Sequence, residues 1–160
     1  MDKIINRLGW WLINKFPDRS RIIKRAGEKY LHRFYITKPR VTREHEEEQP
    51  EQFGLYLHYF YQGDLDEDLH NHPWKWALSL ILSGQYAEER ENGIHIRKAG
   101  RFNYIKHSTF HRVTLVNQDT TPIWTLFMVG PRITSWGFKN KTTGEFWNWK
   151  EYLRARGEQL

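Results

Sequence analysis

Three histidines carry the chemistry most readily read from this chain. His70 and His72 flank Asn71. In an extended segment side chains two apart share a face, so the two imidazoles aim at one point. Neutral imidazole is the commonest metal ligand in proteins and suits zinc, iron, copper and nickel. Two such ligands bind weakly, and a third has to come from elsewhere in the fold. His111, which opens an expected strand after the turn-like Lys106-His107-Ser108-Thr109-Phe110, is the best candidate. The expectation is one divalent ion on His70, His72 and His111. A lone His-x-His is also met as a pair of hydrogen-bonded structural residues. Here Gly84 follows His72 by twelve residues, and Gly100 precedes His111 by eleven, each at an expected turn.

Further polar residues are candidates for catalysis. Glu88 is a base or a fourth ligand, or else a surface glutamate on a strand. Tyr86 and Tyr104 line a pocket or simply pack. Arg112 and Arg132 suit a two-pronged hold on a carboxylate or phosphate, or pair with Asp64 or Asp66. Glu88, Tyr86 and Arg112 are the catalytic set the sequence favours. His58 reads as structural and His107 as a turn residue. Pro73, Trp74 and Trp76 fix and wall the histidine loop.

The elements that must position these groups are mostly strands. From Phe53 the chain alternates in short aromatic-rich runs: residues 54–62, 74–83, 85–91, 94–98, 101–105, 111–116, 123–129 and 133–139. Asn92-Gly93 between two of them is a strong hairpin signal. This spacing suits an all-β antiparallel sandwich or barrel of jelly-roll type. Ahead of it, Ile4, Ile5, Leu8, Trp11 and Leu12 recur at helical spacing over residues 2–16, and Pro17 ends that helix. Asp18 or Ser20 caps an expected second helix running to about Tyr35, with a stripe of Ile22, Ile23, Ala26, Tyr30, Leu31 and Phe34. Residues 44–52 read as an exposed acidic loop, and 146–154 as a short closing helix. The chain divides into a helical extension over 1–52, packed on the barrel, and a barrel over 53–160, making one domain.

Composition narrows the choices. The 160 residues suit one domain with an aromatic core, since Trp, Tyr and Phe number eight, eight and nine. There is no cysteine, which excludes disulfides, thiolate metal sites and a cysteine nucleophile. No apolar run is long enough to span a membrane and no convincing leader precedes the helix, so the expected setting is the cytoplasm. The net charge of +6 is concentrated early, with twelve bases against four acids in residues 1–44. These bases are spread around an apolar stripe, and no sequence-specific nucleic-acid recognition is expected from them. A homodimer is left open.

The histidine segments resemble the cupin superfamily. Its first motif, a Gly, then His-x-His, usually a Glu, then a Gly, is matched by Gly63, His70, His72 and Gly84. Its second, a Gly, a Pro-x-Gly turn and a His, is matched by Gly100 and His111, with Lys106-His107-Ser108 in place of the turn. The likeness covers about residues 54–138. In detail it is similar to uncharacterised bacterial and phage-associated small cupins, through His-Asn-His-Pro-Trp at 70–74, Gly-x-Tyr-x-Glu at 84–88, His-Arg-Val at 111–113, Gly-Pro-Arg at 130–132 and Trp-Gly-Phe at 136–138. The usual cupin Glu should fall four or five residues after His72, where Trp76 and Ala77 stand. The resemblance then implies three His ligands only, as in the thiol dioxygenase branch, with open positions for substrate.

These readings converge on a mononuclear metal-dependent enzyme for a small polar metabolite, with Fe(II), as in an oxygenase, favoured over zinc, nickel or manganese. The alternatives are a non-catalytic small-ligand or sensor module and a metal-free sugar-nucleotide isomerase using a His and an acid for proton transfer.

Overall fold

A computed structural model describes residues 1–37, 53–115 and 121–157. The loop expected at 44–52 lies outside them, as does the end of the strand expected at 111–116. In chain order the elements are α1 (Asp2–Lys15), a single 3-10 turn (Pro17–Arg19), β1 (Ser20–Arg25), β2 (Glu28–Tyr35), β3 (Gly54–Phe60), β4 (Leu69–His70), β5 (Trp76–Ser83) and β6 (Gln85–Arg90). They continue with β7 (Gly93–Lys98), β8 (Phe102–Lys106), β9 (His111–Thr114), β10 (Ile123–Val129), β11 (Gly137–Lys139), β12 (Phe146–Asn148) and α2 (Trp149–Ala155).

The strands form two six-stranded antiparallel sheets, ordered β1-β2-β3-β10-β5-β8 and β12-β11-β4-β9-β6-β7. Alternation along each strand sends one set of side chains between the sheets. Tyr56, Ala77, Ile105, Phe127 and Val129 from the first sheet join Trp74 there, while Ile81, Tyr86, Val113 and Ile123 form a second interior cluster. This is the jelly-roll expected from the strand spacing.

The second expected helix does not exist. Residues 20–35 are the hairpin β1–β2, turning on Ala26 and Gly27 with φ of 47° and 83°. Two consecutive positive φ values define a turn that matches the strands' twist, and Gly27 adopts its value without steric cost. The helical stripe misled because both faces of β2 are covered. Leu31 lies on one face, and His32 and Phe34 on the other lie under α1, so no two-residue alternation shows.

Helix α1 covers the outer face of the first sheet, where Ile13, Phe34, Leu57 and Trp124 cluster. Only part of the expected stripe packs: Ile5 and Leu12 join Trp10 and Ile13 against the sheet, while Ile4, Leu8 and Trp11 remain exposed. Gly9 decides the orientation. Its bare Cα lies against the Trp124 indole, and a Cβ there would stand 2.7 Å from Trp124 Cζ2. Asn6 Oδ1 accepts a 3.0 Å bond from Trp124 Nε1 on the same face, so the fully buried indole keeps a partner.

At the C-terminal end, only 137–139 of the strand expected over 133–139 is a strand. The helix expected from 146 starts later, where the Asn148 side chain accepts from Lys150 N. Among the described residues no helix is long and apolar enough to cross a membrane.

Candidate metal centre

The second sheet brings the three histidines together. His70 on β4 lies in register with His111 on β9 and, on its other side, with Phe138 on β11. His72 follows two residues later. The ligand nitrogens of all three lie within 4.8 Å of one another, and His72 Nε2 stands 2.9 Å from His111 Nε2. Nitrogens bound to one ion at about 2.0–2.1 Å stand ~2.9 Å apart at right angles and ~3.4 Å apart at tetrahedral angles. The His72–His111 pair already has such a separation, and a small inward movement of His70 completes the set.

Asn71 holds the segment in place. Its backbone N donates to Gly137 O at 3.1 Å, its Oδ1 accepts from Gly137 N at 2.9 Å, and its Nδ2 donates to His107 O at 3.2 Å. One buried amide therefore fixes the loop to β11 and to the turn before β9. Of the residues expected to wall the loop, Trp74 stacks on the His72 ring at 5.4 Å. Asp64 accepts from Tyr30 at 2.7 Å and from the Val113 backbone, and approaches His70 Nδ1 at 3.7 Å.

Electrostatics favour the ligand form of these rings. Burial, opposed in part by Asp64, lowers the pKa of His70 to about 4. Burial, then His111 and His70, holds His72 well below its ordinary value. Both are neutral at physiological pH and present lone pairs. For His111 the tautomer is set by Glu88, whose Oε1 lies 2.7 Å from His111 Nδ1. An ionised carboxylate only accepts, so Nδ1 carries a proton and the ring is turned with Nε2 beside His72.

Glu88 is fully buried, which corrects the idea of a surface glutamate. Burial alone would raise its pKa. Hydrogen bonds from His111, Arg90 and Asn103 outweigh that and hold the carboxyl below its usual range. Arg97 Nε reaches Oε2 at 2.8 Å and Asn103 Nδ2 reaches Oε1 at 3.0 Å. Among the described residues no carboxylate joins the three ligand nitrogens.

The remaining candidates lie at different distances from the chemistry. Tyr86, two residues before Glu88 on the same face, is buried against Phe60 and accepts from Asn103 Nδ2 at 3.5 Å, so it reaches His111 only through Asn103 and Glu88. Arg112 projects from the opposite face of β9 to His111, held by Glu89 at 2.9 Å and the Asp66 carbonyl at 3.0 Å. Tyr104 is exposed, and its neighbour Asn103 is the residue that enters. Trp76 lies on β5 in the first sheet. His58 stacks on Tyr56 and Phe127 between the sheets. Sequence reasoning missed Asn71, Asn103, Arg90 and Arg97; a signal for the arginines was the hairpin register, which places Glu88 and its flanks opposite residues 93–98.

No protein-family model matches this sequence, and no curated protein matches it. Solved structures do. An RmlC-like cupin from Ralstonia eutropha aligns over 89% of this chain and 87% of its own, with 14% identity and a TM-score of 0.52. An uncharacterised conserved protein with a double-stranded β-helix domain from Klebsiella pneumoniae aligns over 74% and 90%, with 15% identity and a TM-score of 0.51. The iron(II) form of HppE aligns over 71% and 57%, with 12% identity and a TM-score of 0.50. The shared feature is the fold. This chain has the cupin fold, a double-stranded β-helix, with three histidines gathered between its sheets, His111 buried and His70 and His72 partly so.

Proposed function

We propose that the protein binds one divalent metal ion through His70, His72 and His111 and is a mononuclear metal-dependent enzyme acting on a small polar molecule in the cytoplasm. The observation that carries this reading is the donor set: two imidazoles kept neutral by burial, and a third whose tautomer Glu88 fixes with Nε2 toward its neighbours. Three protein ligands leave positions for substrate, and the bound metal would supply Lewis acidity or oxygen activation there. We favour Fe(II), in keeping with the iron(II) form in which the similarly folded HppE was solved. Zinc, nickel and manganese suit the same nitrogens. Glu88 is a positioning residue acting through His111, and Trp74 shields one side of His72.

A second reading has one observation in its favour. The buried His111–Glu88 pair is the His–acid couple that a metal-free proton-transfer isomerase needs. Metal analysis after anaerobic loading with Fe(II) or Zn(II) separates the two. One equivalent per wild-type chain, lost in the His70→Ala/His72→Ala double variant, supports the metal centre. Stoichiometric metal retained by that variant refutes it. Oxygen uptake by the Fe(II) protein with a panel of small polar metabolites then tests for an oxygenase.

A further inference from the structure

We propose that the interior facing the histidines contains an oxyanion-binding subsite, in which Arg33 receives the carboxylate or phosphonate-type group of a small molecule whose other end reaches the triad. Arg33 comes from the N-terminal hairpin. It lies on β2 in register with His58 on β3, and its Nε donates to His58 Nε2 at 3.0 Å. Its guanidinium carbon lies 4.9 Å from the centre of the Tyr56 ring. His58 is buried and stacked on Phe127 at 5.0 Å, and the Phe127 ring lies 6.1 Å from that of His72. Arg33 is thus held on the first sheet across from the proposed metal ligands, with His58 and Phe127 between.

Arg33 differs from the arginines that meet a carboxylate around the two sheets. Arg25 pairs with Asp66, Arg90 and Arg97 share Glu88, and Arg112 pairs with Glu89. Among the described residues no carboxylate pairs with Arg33, whose partners are an imidazole and an aromatic face. Guanidinium cannot shed its proton in a protein, so a half-buried one without an acid calls for an external anion or water. Committing Nε to His58 fixes the plane of the group and leaves the two Nη atoms as a fork, the geometry that grips a carboxylate or phosphonate with two bonds. Burial, together with Arg33, holds His58 well below its ordinary pKa, so His58 stays an acceptor and adds no competing charge. The part of this inference that links the anion to the triad rests on the metal reading above.

The test uses the metal-free protein, so that it does not depend on the metal. The ¹⁵N-labelled chain is titrated with lactate, methylphosphonate and the neutral isostere lactamide, following the Arg33 Nε–H resonance, assigned by its loss in Arg33→Lys. A saturable shift with one or both anions and none with lactamide is expected; which anion is tighter tells a carboxylate site from a phosphonate-type one. Arg33→Gln should weaken the tighter anion about tenfold or more, as loss of a charge-assisted pair requires, and Arg33→Lys should restore part of it. Zn(II) binding by Arg33→Gln should remain at the wild-type level. The proposal is overturned if neither anion moves the wild-type resonance, a result independent of how the variants fold, or if a folded Arg33→Gln binds the anions as the wild type does. A wild-type chain that binds anion but no metal refutes the metal reading alone.

Discussion

Replacing Glu88 by Gln should weaken metal binding and destabilise the fold together. The carboxylate serves His111 and Asn103 through Oε1 and Arg97 through Oε2, with Arg90 spanning 3.1 Å to Oε1. A glutamine keeps the shape but has one acceptor oxygen and two amide hydrogens. Either His111 or Arg97 must then face a donor, and two guanidiniums lose their counter-charge. Loss of the group that orients a metal-binding imidazole costs about 10–100-fold in affinity. Breaking a buried ion pair costs about 3–5 kcal/mol, and we expect ~3 kcal/mol because Arg90 and Arg97 keep 19% and 21% of their side-chain surface in water. At about 2–4 °C per kcal/mol for a domain of this size, Tm should fall by ~6–12 °C. Because the folded carboxyl is held below its unfolded value, its contribution is complete above that unfolded value and is lost only as pH falls toward the folded one. The difference between wild type and variant should therefore be constant from about pH 5.5 to 8. Chelator competition with Zn(II) gives the affinity and calorimetry of the metal-free chain gives Tm. A variant matching wild type in both would show that Glu88 neither orients His111 nor balances the arginines.

Two further predictions test the surroundings. Gly9→Ala places a methyl group against the Trp124 indole, so it should cost about 1–3 kcal/mol despite alanine's better helix propensity, read as a lowered urea midpoint; an unchanged or raised midpoint would mean that α1 is not seated on Trp124. The metal-free protein should lose stability as pH falls from about 7 to 4, by ~3 kcal/mol from His70 alone. Its folded pKa near 4 lies below the usual histidine value, so the unfolded chain binds more protons across that window. Urea denaturation at stepped pH measures this, and a flat profile would contradict the burial of His70.

The part of the site that obeys a two-residue rhythm was legible. His70 and His72 share a face because strand side chains alternate, and His111 follows a turn whose residues could be recognised. Most strands between 54 and 129 were legible for the same reason, whereas β4, the start of the strand expected at 133, and β12, expected as helix, were not. The hairpin over 20–35 was not, because a strand covered on both faces loses its alternation and its apolar residues then fit a helical stripe equally well. Its clue was local, the Ala26-Gly27 turn after Ile22-Ile23. Missing that hairpin also hid Arg33, which on a helix would have been one more surface base. The role of Glu88 needed three strands at once, since β6 brings the carboxylate, β9 the imidazole and β7 an arginine. Asn71 lay inside the motif but gave no sign that its amide ties the loop to Gly137.

The two-residue strand β4 has a consequence for how the centre comes into being. Both of its partners, β9 and β11, lie later in the chain, and Phe138 is itself backed by Tyr152 of α2 at a ring separation of 3.9 Å. During synthesis His70 and His72 emerge with nothing to pair against, as two solvated imidazoles of ordinary basicity. Long loops must close before β4 exists at all. If the triad holds a metal as proposed, a half-made chain offers passing ions only a loose bidentate contact, and the capacity to retain one would arrive with the last quarter of the polypeptide. On the proposed metal reading, acquisition of the ion would then be a late event, available to finished molecules and withheld from truncated ones.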